Sequence, residues 1–352
     1  MVLSFSLIMI TPPLTRPSRH ILRSSIFASL CFLGLHTASF AEDSKGLLLV
    51  TNKGDHTMSL VDPATNKEIT TVPEDGVTGH ELAASPDGKR AFVPIYGDSG
   101  VGKPGSNGQL MRVVDLAKRQ IVGTLDFGKG VRPHCAIYNA KKNLLYVTTE
   151  LDNTVSIIDP DSLKILGTVP TGQEQSHMLA VTKDGARGYT ANVGPGTVSV
   201  LDLDKKELIK TIPISKMTQR ISLSVDDRWV FTSDQTKAQL VVIDTKTNEV
   251  AKRIDLPNYG YGTAPTPDGK FLIVCCGVGE VAVVDLEKME VAHVIPVPKA
   301  PQYALVRPDG AVAYVSCDAS AKIAAIDLKE WKVSALIDVG KTADGLAWAK
   351  GE

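Results

Sequence analysis

Short apolar runs rich in Val, Ile, Leu and Tyr alternate with polar turns from residue 45 to residue 350. No unit shows a helical apolar period, and the two-residue alternation predicts strands. One pattern recurs seven times, an apolar strand that ends in Asp and runs into a polar turn. The copies are SLVDPATNKE, RVVDLAKRQ, SIIDPDSLK, SVLDLDKKE, VVIDTKTNE, AVVDLEKME and AAIDLKEWK. Their aspartates are Asp62, Asp115, Asp159, Asp202, Asp244, Asp285 and Asp327, spaced by 53, 44, 43, 42, 41 and 42 residues. A period near 42 with four short strands per unit predicts an all-β fold, a seven-bladed β-propeller with four antiparallel strands per blade. An aspartate repeated at every turn predicts a local bond from side chain to backbone.

One unit reads strand by strand. SHMLAVTKDG is an innermost strand A with its turn, and ARGYTANVGPG is strand B with a loop. TVSVLDLDKKE is strand C with its turn, and LIKTIPI is strand D. Asp-Gly pairs at 87–88, 184–185, 268–269 and 309–310 close A–B hairpins, where Gly supplies a positive φ. The first apolar strand, GLLLVTN, matches strand B, and the last segment, DGLAWA, matches strand A. The ring is therefore expected to close by pairing the C-terminal innermost strand with the N-terminal strands, which removes two open edges. Residues 42–352 form one domain on this reading.

The chain has 352 residues, 43% apolar and 22% charged, which is globular composition. Its formal charge is −1. Residues 1–41 hold Arg16, Arg19 and Arg23 and no acid, so the remainder carries −4. A mildly acidic body lacks the basic footprint of a nucleic-acid binder. Residues 24–41 run from the arginines through an apolar stretch, Ile26–Leu35, to Ser39 and Ala41. That order predicts a secretory signal peptide over 1–41, cleaved after Ala41, and a periplasmic or secreted protein with no membrane span. The leader is long, and Met9 is one alternative start. Cys135, Cys275, Cys276 and Cys317 follow the leader, too few and too dispersed for a disulfide framework, and read as buried free thiols.

At LLYVTTELDNTVSIIDPDSLK, residues 144–164, and at SPDGKRAFV and RPDGAVAYVS, the sequence resembles the YVTN-repeat, or YncE-like, seven-bladed propellers. The resemblance covers residues 45–350 and is specific for architecture. It implies an exported protein. Similar propellers occur in lactonases, in quinoprotein and haem-d1 domains and in nitrous oxide reductase, so the fold alone chooses no chemistry.

Equivalent positions on the seven A strands face one another around a propeller axis. They are His80, His134, His177, Arg220, Tyr261, Gln302 and Asp344, all polar. Three consecutive histidines at one aligned position make this ring the candidate ligand-binding site. Loops from B to C add Glu150, Asn192, Asp234 and Asp318 on the same face, and the second unit carries a Gly-rich insertion, 97–108. That insertion reads equally as a ligand cover and as a surface excursion. Donors, acceptors and a fixed cation at Arg220 suit a small polar or anionic ligand, or a protein partner. The alternative is a metal site of His80, His134, His177 and Glu150, with Glu81 as the other candidate carboxylate, for Zn, Cu, Fe or Mn. It would support a metal-dependent, lactonase-like hydrolase or an oxidoreductase. A third reading is an accessory subunit of a quinoprotein or redox system. No G-x-S-x-G, C-x-x-C-H or H-E-x-x-H motif is present.

Overall fold

The alternation of each unit becomes four antiparallel strands, and the repeats become seven such sheets. The computed structural model describes residues 45–98 and 100–351, so the predicted leader and its cleavage site lie outside the described residues. Blade 1 pairs Ala343–Lys350 (A) with Gly46–Asn52 (B), Thr57–Asp62 (C) and Lys67–Pro73 (D). The expected closure is thus present, with Gly46 opposite Lys350 and Leu48 opposite Trp348. Blades 2 to 7 follow in chain order. Their A strands are Ala83–Ala84, Pro133–Asn139, Ser176–Val181, Thr218–Leu223, Gly260–Pro265 and Pro301–Val306. Each A strand contacts the next, and the last contacts the first, which makes the inner ring. Among the described residues there is no α-helix, and no helix is long and apolar enough to cross a membrane.

Burial follows radius. B and C strands are buried along most of their length, whereas D strands are mostly exposed or half-buried with one buried residue near the end. The core lies between blades. One cluster joins Tyr146, Leu179, Val200, Ile221 and Val241 across blades 3 to 5. The four cysteines among the described residues are buried and free.

The turn aspartates act as the repeat predicts. Asp115 accepts the Lys118 amide at 2.8 Å, and Asp244 accepts the Lys246 amide at 2.7 Å. Four residues after each aspartate the chain turns left-handed on a non-glycine residue: Asn66, Arg119, Leu163, Lys206, Asn248, Met289 and Trp331, all with φ between 52 and 60°. Every C–D pair then shifts register within the strand. Such a bulge strengthens the local twist that a blade needs.

Candidate functional site

The ring residues reach the axis because the backbone turns sharply just before them. In five blades the residue two places earlier has a left-handed φ, at Thr78, Arg132, Gln175, Ala300 and Thr342. Hydroxyls at the ends of B strands then hold the ring backbone. Thr51 Oγ1 donates to the His80 carbonyl at 2.5 Å, and Thr148 Oγ1 donates to the His177 carbonyl at 2.8 Å. Close approach of A strands needs glycine at two places. A Cβ on Gly345 would lie 2.5 Å from the His80 carbonyl, and one on Gly262 would lie 2.4 Å from the Gln302 carbonyl.

His80, Glu81 and His134 bring their ligand atoms within 4.8 Å of one another. His80 Nδ1 is 3.1 Å from His134 Nε2, and His134 Nδ1 is 2.9 Å from Glu81 Oε2. That second contact lacks hydrogen-bond geometry, so both atoms remain without a hydrogen bond. The His134 and His177 rings pack with centroids 3.5 Å apart. Burial drives the imidazoles toward neutrality: His134 is pushed down to about 3, and His177 is lowered too.

Arg220 closes the other side. Its guanidinium pairs with Glu81 and, at 2.8 Å, with Asp344, and stacks over Tyr261 at 5.1 Å. Burial alone would raise the Glu81 carboxyl, but Arg220 and His134 hold it well below the usual carboxylate range. Lys53 Nζ reaches Asp344 at 3.0 Å and Asp318 at 3.4 Å. Two carboxylates thus face two cations in the inner ring, and the charge of Arg220 is balanced inside the protein.

Glu150 organises a second group. Its carboxylate accepts the Tyr96 hydroxyl at 2.5 Å, the Gly102 amide at 3.3 Å and Arg132 Nη1 at 3.4 Å, and it lies 3.6 Å from His177 Nδ1. Burial would raise its carboxyl, but the neighbouring His177 imidazole and the hydrogen bond from Tyr96 overcome this and bring it down to about 2. Arg132 also donates to the Lys103 carbonyl at 2.9 Å and to Asn107 Oδ1 at 2.8 Å. The insertion is therefore tied over the mouth beside blades 3 and 4. A cleft of about 450 Å³ lies there, lined by Gly102, Lys103, Arg132, Glu150, Glu174 and Gln175 among others.

The structure brings together His80, His134, His177, Arg220, Tyr261 and Asp344. The Gln302 side chain, half-buried, makes no hydrogen bond to the group among the described residues. Glu81 is the carboxylate beside His80 and His134, whereas Glu150 stands beside His177. Asn192 and Asp234 end their B strands and bond locally, to Thr197 and Thr236. The position just after strand B is the one that matters, and it holds Lys53, Tyr96 and Glu150. Aligning strand ends rather than polar residues would have found Lys53 and Tyr96. Arg132 carried no signal beyond its place before His134.

Seven four-stranded sheets around a polar, histidine-bearing axis define a seven-bladed β-propeller with its candidate site at the channel mouth. The chain belongs to the cytochrome d1 haem-domain family, matched over residues 139–350, and is a YncE-like seven-bladed propeller. It is 27% identical over 174 residues to antigen Lp49 of Leptospira interrogans, covering 47% of this chain and 38% of that one. It is 22% identical over 192 residues to the uncharacterized YncE of Salmonella typhi, covering 53% and 54%. The chain thus spans about half or less of the length of the curated relatives it matches. Among solved structures it is similar to Kuenenia stuttgartiensis hydrazine synthase, with TM-score 0.69, 19% identity and coverage of 81% of this chain and 93% of that one. It is also similar to the dihydro-haem d1 dehydrogenase NirN, with TM-score 0.63, 14% identity and coverage of 86% and 75%. At these identities the likeness shows the fold.

The family name implies a haem. A flat macrocycle at the axis needs an open slot, and this axis is filled. Glu81, His134, His177, Arg220 and Asp344 are each at most 3% exposed and pack on one another. The residues present do not fit a haem d1 within the ring.

Proposed function

We propose that the protein is an exported, redox-associated binding propeller that takes a small polar molecule in the cleft between the insertion and blades 3 and 4. The observation that carries this reading is the convergence of the insertion, Arg132, Glu150 and the Glu174–Gln175 turn on one cleft. Lys103 and Glu174 are in no ion pair among the described residues, so a cation and an anion stand free at its rim. A ligand with both charges, or an uncharged polyol, fits that lining better than a purely anionic one. Arg220 does not alter this, because its charge is already balanced. The redox setting is supported by the family and by the similarity to a haem d1 dehydrogenase. Export is supported by the basic and apolar order of residues 16–41.

Equilibrium dialysis and thermal shift against a panel of amino acids, betaines, polyols and small carboxylates test the reading. A binder weakened at least tenfold in both Lys103→Ala and Gln175→Ala is expected. No binder in the panel, or one bound equally by parent and both variants, would overturn it.

A further inference from the structure

Apart from the cleft, the axis itself holds a cluster of imidazole and carboxylate donors, several of whose buried atoms make no hydrogen bond. His80 Nδ1 and His134 Nε2 stand 3.1 Å apart. Two imidazole nitrogens bound to one tetrahedral ion at 2.0–2.1 Å lie ~3.3 Å from each other. The observed spacing lies within a few tenths of an ångström of that value. Glu81 belongs to the same cluster, whose ligand atoms all lie within 4.8 Å of one another, but its Oε2 stands 2.9 Å from Nδ1, the other ring nitrogen of His134, so it must turn toward the ion to become the third donor. Other buried atoms left without a hydrogen bond around the axis include His134 Nδ1, His177 Nδ1, Asp344 Oδ2, which is ion-paired to Lys53 at 3.0 Å, and Arg220 Nε. On the side of His80, Glu81 and His134 the unsatisfied atoms are a carboxylate oxygen and imidazole nitrogens, which call for a cation rather than an anion.

We propose that His80, Glu81 and His134 form a binding site for one divalent transition-metal ion, with His177 packed behind His134 and Asp344 beside His80. The donor types decide the class of ion. Glu81 and Asp344 are matched by Arg220 and Lys53, so the ion enters a neutral site rather than an acidic one. Hard cations such as Ca²⁺ and Mg²⁺ depend on negatively charged oxygen cages and are disfavoured here. Imidazole donors hold Cu²⁺ and Zn²⁺ without adding charge, and the Irving–Williams order puts Cu²⁺ ahead. Access is from the His80 side. That side chain is 14% exposed, whereas His134 is fully buried. Glu81 has two oxygens: Oε1 keeps Arg220, and Oε2, beside His134 Nδ1, is the one that would turn to the ion. The outer His293, stacked on Trp331 at 5.0 Å, belongs to the rim and supplies a control.

The experiment uses chelator-stripped protein titrated with CuSO4 and, separately, ZnCl2, followed by calorimetry and elemental analysis after desalting. Electron paramagnetic resonance of the Cu²⁺ form reads nitrogen ligation directly. One ion per chain is expected, with the signature of two nitrogens. Affinity should fall at least tenfold in His80→Ala, in His134→Ala and in Glu81→Gln, and stay unchanged in His293→Ala. His134 is buried, so its variant is accepted only with parental circular dichroism. His80, which is not fully buried, keeps the test decisive if that variant fails to fold. No binding at 100 µM metal would overturn the proposal, and so would binding unchanged in His80→Ala. The readout is separate from the cleft: Lys103→Ala and Gln175→Ala should leave metal affinity as it is.

Discussion

At Gly345 one hydrogen atom separates a working ring from a distorted one. A methyl group there would meet the His80 carbonyl at 2.5 Å and the Glu81 Cα at 2.7 Å, both backbone atoms that cannot rotate away. Gly345→Ala should therefore cost about 1–3 kcal/mol, the range for overpacking, and displace His80 from Asp344. Thermal unfolding and the metal titration read the two effects. Glu74 is the other residue with a sharp expectation. It is buried, accepts among the described residues only the Gly79 amide at 2.7 Å, and burial pushes its carboxyl up to about 7. The folded state then holds a proton that the unfolded state has already released above its ordinary value near 4.5. Stability from this group is present below that value and is lost as pH rises through about 7. Glu74→Gln should match the parent near pH 4 and exceed it at pH 8, by up to about 3 kcal/mol at about 1.4 kcal/mol per pH unit. Denaturant midpoints at the two pH values decide it.

The C–D turn shows what an element demands of its sequence. Arg119 is exposed and sits at φ 57°, a conformation costing roughly 1–2 kcal/mol for a residue with a Cβ. Arg119→Gly should stabilise the protein by about 0.5–1 kcal/mol, after the extra chain entropy of glycine is subtracted. Asp115→Ala in the same turn should destabilise it by about 0.5–1.5 kcal/mol through the lost bond to the Lys118 amide. Opposite shifts in melting temperature check the pair. The aspartate was legible in the sequence because its bond is local and recurs seven times. The left-handed residue was not, because Asn, Arg, Leu, Lys, Met and Trp share no chemistry that marks it. The ring residues were legible for the same reason as the turns: one aligned position per repeat. Their partners were not, since Glu81 meets Arg220 and Lys53 meets Asp344 only after the chain has gone round the axis. The insertion stayed ambiguous for a related reason. Nothing in 97–108 announces that Arg132, well beyond it in sequence, would hold it down.

The whole molecule depends on its closing strand. Without Ala343–Lys350, blade 1 would present Gly46–Asn52 as a bare inner edge, and the ring would lose Asp344. A chain ending at Gly340 should associate through that edge rather than remain a monomer. Size-exclusion chromatography with light scattering distinguishes the outcomes, and a monodisperse monomer with the parental melting temperature would count against closure as the stabilising device. The same pairing has a mechanical corollary. Gly46 lies opposite Lys350 in an antiparallel register, so both ends of the described chain leave from one spot. Tension applied through those ends loads a zipper, parting the ladder one rung after another instead of shearing all its bonds together. Under force the ring should open at low load from blade 1 outward, however firmly the other six blades are packed.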